Sequence, residues 1–163
     1  MATPTALPAT FVASTVLPAS DLNLLRGAFR VLQVVQSADA TGLLSSTSAT
    51  YVTSGVTLSI TPQYTTSKIL LVYSLQTYVN GASTGLGLQL KRGSTAIVSD
   101  IDTCFGLAGG VQIQGTTWAI DSPSTTAATT YTVFYNRSSG TGTTYINASG
   151  VGISRMFAME ISA

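Results

Sequence analysis

The chain has 163 residues, enough for one domain with a substantial core, and only 8% of them are Asp, Glu, Lys or Arg, against about 25% in ordinary soluble domains. Its formal net charge of +1 leaves no basic footprint for nucleic acid. The lack of His and the single cysteine, Cys104, remove the commonest general base and metal ligand and exclude an intrachain disulfide.

Mean hydropathy is high, +0.38, yet no run approaches the roughly 18 apolar residues of a membrane span. The longest apolar stretch, Ile69 to Tyr73, has the length of a strand. Met1 to Phe11 lacks the basic and apolar regions of a signal peptide. No membrane insertion is expected, and the hydrophobicity is assigned to a core plus a subunit interface.

Residues 1–19 read as an extended arm. Pro4, Pro8 and Pro18 fix φ and withhold donors. Leu7, Phe11, Val12, Val16 and Leu17 are too many apolar groups for a free tail, so the arm is expected to dock on a neighbour. One short helix follows. Ser20 is its N-cap, Asp21 and Arg26 complement the dipole, Leu22, Leu25 and Phe29 form an apolar stripe, and Gly27 offers an exit.

From Arg30 the pattern is β. Strands are predicted at Val31 to Gln36, at Tyr51–Val52 with Val56 to Ile60, and at Lys68 to Val79, then in a hairpin of Gly85 to Arg92 and Thr95 to Asp100. In the third of these, Ile69, Leu71, Tyr73 and Leu75 share one face, while Leu70 and Val72 make the other apolar too. Such a strand is central or lies under a partner. In Val111 to Asp121 the parity changes, with Val111 and Ile113 on one face and Trp118 and Ile120 on the other, which reads as a β-bulge near Gly115. Tyr131, Val133 and Tyr135 alternate with Thr130, Thr132 and Phe134. Thr143 to Ile146 is short, and Arg155 to Ile161 closes the chain with Phe157, Met159 and Ile161 on one face. Eight to ten short strands without a βαβ rhythm predict an all-β fold, an antiparallel β-sandwich that is jelly-roll-like. The expected organisation is an arm plus helix at 1–29 and a sandwich domain at 30–163.

Few motifs carry chemistry. Asp100 and Asp102 place two carboxylates together, short of the six to eight oxygens that Ca²⁺ takes. Gly106, Gly109 and Gly110 open no predicted helix, so they do not read as a phosphate cradle. The triplets at Asn136 and Asn147 fit the glycosylation pattern, which a Ser-rich chain matches by chance. Lys91 and Arg92 flank a turn. Cys104 lacks an activating neighbour in sequence and reads as a buried apolar residue. Tyr51, Tyr64, Tyr73, Tyr78, Tyr131, Tyr135, Tyr145 and Trp118 suit a core better than a sugar platform. Asp39, Asp100, Asp102, Asp121 and Glu160 are the acidic candidates for glycan hydrolysis. No catalytic, metal or cofactor residue is assigned.

Several strings occur together in order: Phe11 to Asn23, Val31 to Val35, Thr66 to Val72, Arg92 to Ile97, Asp121 to Thr126, Thr129 to Tyr131, Tyr145 to Asn147 and Met159 to Ile161. In this order they resemble small β-sandwich proteins of tailed bacteriophages, the tail-fibre-like or minor tail proteins. The first string looks like the start of tail-fibre chains, which attach by their N-terminus. The resemblance implies a virion location, a trimer and no catalysis. A repetitive shaft is absent, which leaves room for a capsid decoration protein whose arm staples capsomers. The expected partners are further copies of the chain and a tail, collar or major capsid protein, with a host-surface glycan as a further alternative. The expected subunit interface is the second face of the long strand, at Leu70, Val72, Gln76 and Tyr78.

Overall fold

The computed structural model describes residues 30–108, 110–148 and 152–162. The expected arm and helix, and with them Leu7, Phe11, Val12, Val16 and Leu17, lie outside the described residues. Ten strands follow one another: β1 Val31–Gln36, β2 Leu44–Ser46, β3 Val52–Ile60, β4 Lys68–Asn80, β5 Thr84–Arg92, β6 Thr95–Gly106, β7 Val111–Asp121, β8 Thr129–Ser139, β9 Thr143–Ile146 and β10 Arg155–Ile161.

Their pairing is antiparallel throughout. β7 occupies one edge of β4 from Ile69 to Val79, so the two other partners of β4 share its opposite edge. There β10 pairs with Lys68 to Ser74 and β9 with Thr77 to Asn80. β9 and β10 are thus two halves of one broken strand. Beyond them, β1 pairs with β10 and β2 with β9, so β1 and β2 are the halves of another. Counted this way, the described residues form eight strands in two sheets, β1/β2–β10/β9–β4–β7 and β3–β8–β5–β6. The first strand pairs with the last, the second with the seventh, the third with the sixth and the fourth with the fifth. A long nested hairpin rolled up on itself in this manner is the jelly roll.

Asn147 holds the two breaks together. It sits at φ 59, a left-handed conformation that Asn tolerates better than most residues. Its Nδ2 donates to the carbonyls of Ala40 at 2.8 Å and Gly42 at 3.3 Å, and its Oδ1 accepts from Ser154 Oγ at 2.7 Å. Its backbone N–H donates to Gln76 O. These bonds tie the Ala40–Gly42 segment, β4 and Ser154 together across the interruption of the ladder.

The core lies between the sheets. Ile69, Leu71, Tyr73 and Leu75 of β4 point inward against Val56, Leu58 and Ile60 of β3, Leu86, Leu88 and Leu90 of β5, and Tyr131, Val133 and Tyr135 of β8. The expected alternation of β3, β4, β8 and β10 is present. One expectation fails. β7 keeps eleven consecutive register pairs with β4, so no bulge occurs at Gly115. Trp118 and Ile120 lie on the outer face because that face is itself apolar, not because the strand changes parity. β6 also runs on to Gly106, past the expected end at Asp100.

Two buried carboxylates brace the sandwich. Asp121 Oδ2 accepts from Arg92 Nη1 and from Tyr131 Oη, each at 2.7 Å. This ties β7 of one sheet to β5 and β8 of the other. Burial, reinforced by the neighbouring carboxylate, pushes the Tyr131 hydroxyl pKa upward. Tyr131→Phe is expected to leave Asp121 short of a buried donor and to cost about 1–3 kcal/mol, read as a lower urea midpoint; an unchanged midpoint would refute the clamp.

Glu160 lies fully buried on β10 and holds the turn between β3 and β4. Its Oε1 accepts from the Gln63 N–H at 2.7 Å and its Oε2 from Gln33 Nε2. Burial alone would raise its pKa, but the neighbouring Ser67 hydroxyl, the Gln33 amide and the backbone N–H groups of Gln63 and Tyr64 outweigh it and hold the carboxyl below its ordinary value. A folded pKa below the unfolded one means stability that is present at neutral pH. It is lost as pH falls from about 4.3 through the folded value. Glu160→Gln is expected to lower the neutral-pH urea midpoint and to flatten its decline on the acid side. An acid slope identical to the parent's would contradict this.

Candidate functional site

Even-numbered residues of β4 point away from the core, and register carries this outer face across four strands. One row reads Val34, Met159, Leu70, Ile120 and the next Gln36, Phe157, Val72, Trp118, in the order β1, β10, β4, β7. Seven of these eight positions are apolar. At the edges the side chains stand in water: Val34 is 58% exposed, Ile120 53% and Trp118 67%. In the middle, Leu70, Val72, Phe157 and Met159 are half-buried by their neighbours.

Polar groups bound this patch. The following row holds Arg155, Ser74 and Thr116, with Gln114 Nε2 donating to Ser74 Oγ at 2.7 Å. Arg155 Nε pairs with Asp39 Oδ1 at 3.3 Å. Of the four residues expected at a subunit interface, Leu70, Val72 and Tyr78 lie on this face. Gln76 points the same way but is only 3% exposed. Gly152 covers it so closely that a Cβ there would stand 2.6 Å from Gln76 Cγ. Tyr78 packs at a tilt against Tyr145, with ring centroids 5.4 Å apart. Reading β4 alone missed Val34, Trp118, Ile120, Phe157 and Met159. Their alternation was visible, but their place beside Leu70 and Val72 needs the strand register.

The opposite outer face, on the second sheet, is hydroxyl-rich and satisfied within itself. Thr57 pairs with Thr132 at 3.0 Å and Ser59 with Thr130 at 2.7 Å. Lys91 lies over the Phe134 ring. Among the described residues this face has no comparable apolar rows.

The other candidates do not converge on a site. Asp121 and Glu160 flank Ile69 in one row, about 10 Å apart by cross-strand spacing. Buried Ile69 stands between them, and both carboxylates are engaged by internal donors rather than facing a groove. Asp39 is held by Arg155, and Asp102 is exposed on β6. Tyr73, Tyr131 and Tyr135 are core residues, so they present no ring to a sugar. Asn136 and Asn147 are buried and hydrogen-bonded to backbone. Cys104 is buried, with its thiol on the Val111 carbonyl at 3.3 Å, and burial pushes its pKa up. Among the described residues no group of three or more Cys, Asp or Glu is placed to hold a metal ion, and no helix is long and apolar enough to cross a membrane.

No family model matches the chain, and no curated protein matches it. Distant likenesses occur among solved structures. A T=1 particle derived from infectious bursal virus is 11% identical with a TM-score of 0.41, over 79% of this chain and 37% of that one. The VP2 subviral particle of infectious bursal disease virus is 14% identical with a TM-score of 0.37, over 79% and 38%. Dimeric latent PorU from Porphyromonas gingivalis is 14% identical with a TM-score of 0.33, over 82% and 14%. The chain therefore corresponds to less than two fifths of each of these proteins. Likenesses this remote say nothing of what it does, and the jelly roll rests on its own strand pairings.

Proposed function

We propose that the chain is a non-enzymatic structural component of a bacteriophage virion. In this reading it is associated with the tail or fibre and works as a small homo-oligomer, a trimer, with its N-terminal arm docked on a neighbouring virion protein. The observation that carries the proposal is the outer face of the first sheet. Two register-aligned apolar rows span four strands of a chain with hardly any charge. A patch of this kind marks a surface that another polypeptide covers.

Three features agree with it. The ordered strings resemble tailed-phage structural proteins. The jelly roll is an architecture used by coat and lectin domains. The charge-poor, hydroxyl-rich composition suits dense packing against protein, where unpaired buried charge is costly. The acidic side chains of the described residues are spent inside the fold or stand apart, which favours assembly over hydrolysis. A capsid decoration role draws on the same surface and stabilises the shell by binding it only when assembled. The glycan-binding alternative has less support, because the tyrosines that would build its platform are dispersed between the core and both sheets.

Quantitative mass spectrometry of purified virions tests the proposal. A copy number that is a small multiple of the tail symmetry is the expected result. A number comparable with the major capsid protein's would replace the tail position with shell decoration. No copies at all would overturn the virion reading.

A further inference from the structure

We infer that the outer edge of β7 is a strand acceptor, and that the strand it takes is the segment Ala9 to Leu17 of another copy of this chain. The inference rests on the assembly reading above and names both sides of the arm contact. A sheet edge carries backbone N–H and C=O groups without ladder partners, and folded proteins blunt such edges with bulges, short strands, prolines or charges. The other edges among the described residues are blunted in this way. β1 has six residues and a register shift between Val31 and Gln33, and β2 has three residues. β3 shifts register between Thr53 and Thr57, with Gly55 at φ 78, and β6 shifts repeatedly against β5. β7 has none of these devices. It runs for eleven residues in unbroken register with β4, without proline and without a charge before Asp121. No other described strand pairs with its far side.

The side chains of this edge lack cover on both faces. Trp118 and Ile120 stand exposed on the outer one. On the inner one Ile113 pairs with buried Thr77 yet is 39% exposed, and a Cβ at Gly115 would meet open space. The second sheet therefore does not close over this part of β7. A further strand here would lay alternate side chains beside Trp118 and Ile120 and the others over Ile113 and Gly115, so it needs apolar groups at both parities. Ala9 to Leu17 has them, with Phe11 and Leu17 at one parity and Val12 and Val16 at the other. The segment is uncharged and lies between Pro8 and Pro18, so every one of its residues keeps a backbone donor. Thr10, Phe11, Val12, Thr15 and Val16 are residues that favour strands.

The donor's origin follows from where the arm joins the body. It enters at Arg30 beside β1, at the opposite edge of the first sheet from β7. To reach its own β7 it would have to double back across four strands. A copy lying alongside, with its β7 edge toward the β1 edge, brings the acceptor next to the point of entry. The thirteen residues from Pro18 to Arg30 span up to about 43 Å when extended, several times the roughly 5 Å between neighbouring strands.

Photo-crosslinking of the full chain tests this, with benzoylphenylalanine in place of Phe11 and half of the protein isotopically heavy. Crosslinks that join light to heavy chains and map to Val111–Asp121 are the expected result. Hydrogen exchange of the unsubstituted chain is expected to show β7 amides that quicken when the protein is diluted. Ile113→Lys puts an inward-pointing charge on the edge and is expected to abolish the crosslinks while keeping the parent's circular dichroism; Ser59→Lys on the opposite sheet keeps them. Crosslinks confined to single chains, crosslinks that map elsewhere, or β7 amides indifferent to dilution would overturn the inference. Strand exchange by a chain absent from virions would sink the virion reading and leave this one standing. A chain present on virions whose arm crosslinks only to other virion proteins would do the reverse.

Discussion

The alternation of β4 sends Ile69, Leu71, Tyr73 and Leu75 to one side and Leu70 and Val72 to the other, so a strand in the middle of its sheet needs cover from two directions. The second sheet supplies one cover and creates the core. Among the described residues nothing supplies the other. β10 and β7 extend the apolar rows on the uncovered side with Phe157, Met159, Trp118 and Ile120, instead of closing them off with the polar residues usual on a solvated face. The described residues complete the sandwich as a fold and leave one outer face apolar, and the proposed function lies in that difference.

Of the few charges, three carboxylates among the described residues are paired within the fold. Asp121 joins the two sheets through Arg92 and Tyr131, Glu160 secures the turn after β3 through Gln33 and the Gln63 backbone, and Asp39 quiets Arg155 at the rim. Each buried carboxylate has the donors that burial demands. The same arrangement leaves the apolar rows free of repulsion and of competing polar partners, which suits close contact with another polypeptide. The hydroxyls of Thr57, Ser59, Thr130 and Thr132 bond to one another on the far sheet, and they distinguish a wet side of the molecule from a dry one.

Much of the sandwich could be read from residue alternation alone, because β3, β4, β8 and β10 bury one face at a period of two. The reading ran out where that period breaks. β2 has three residues, Leu44 to Ser46, among Ser and Thr, and its pairing with β9 begins beside Asn147, whose triplet looked like a chance sequon. β6 continues beyond Asp100, but repeated register shifts against β5 hide its alternation. Trp118 and Ile120 gave a true signal that was given the wrong cause: an apolar outer face imitates a change of parity in a single strand. Leu70 and Val72 were legible as outward-facing apolar residues from β4 itself. The rows they belong to were not, since a row is a property of pairing between strands far apart in sequence.

The central claim is that the outer face of the first sheet is covered by polypeptide in the working assembly. Hydroxyl-radical footprinting read by mass spectrometry, on the isolated chain diluted below association and on the assembled particle, addresses it at the level of side chains. The account predicts strong protection of Trp118, Phe157 and Met159 in the assembly, with Phe134 and Tyr64 modified equally in both states. Equal oxidation of Trp118 and Met159 in the free and assembled forms would contradict it.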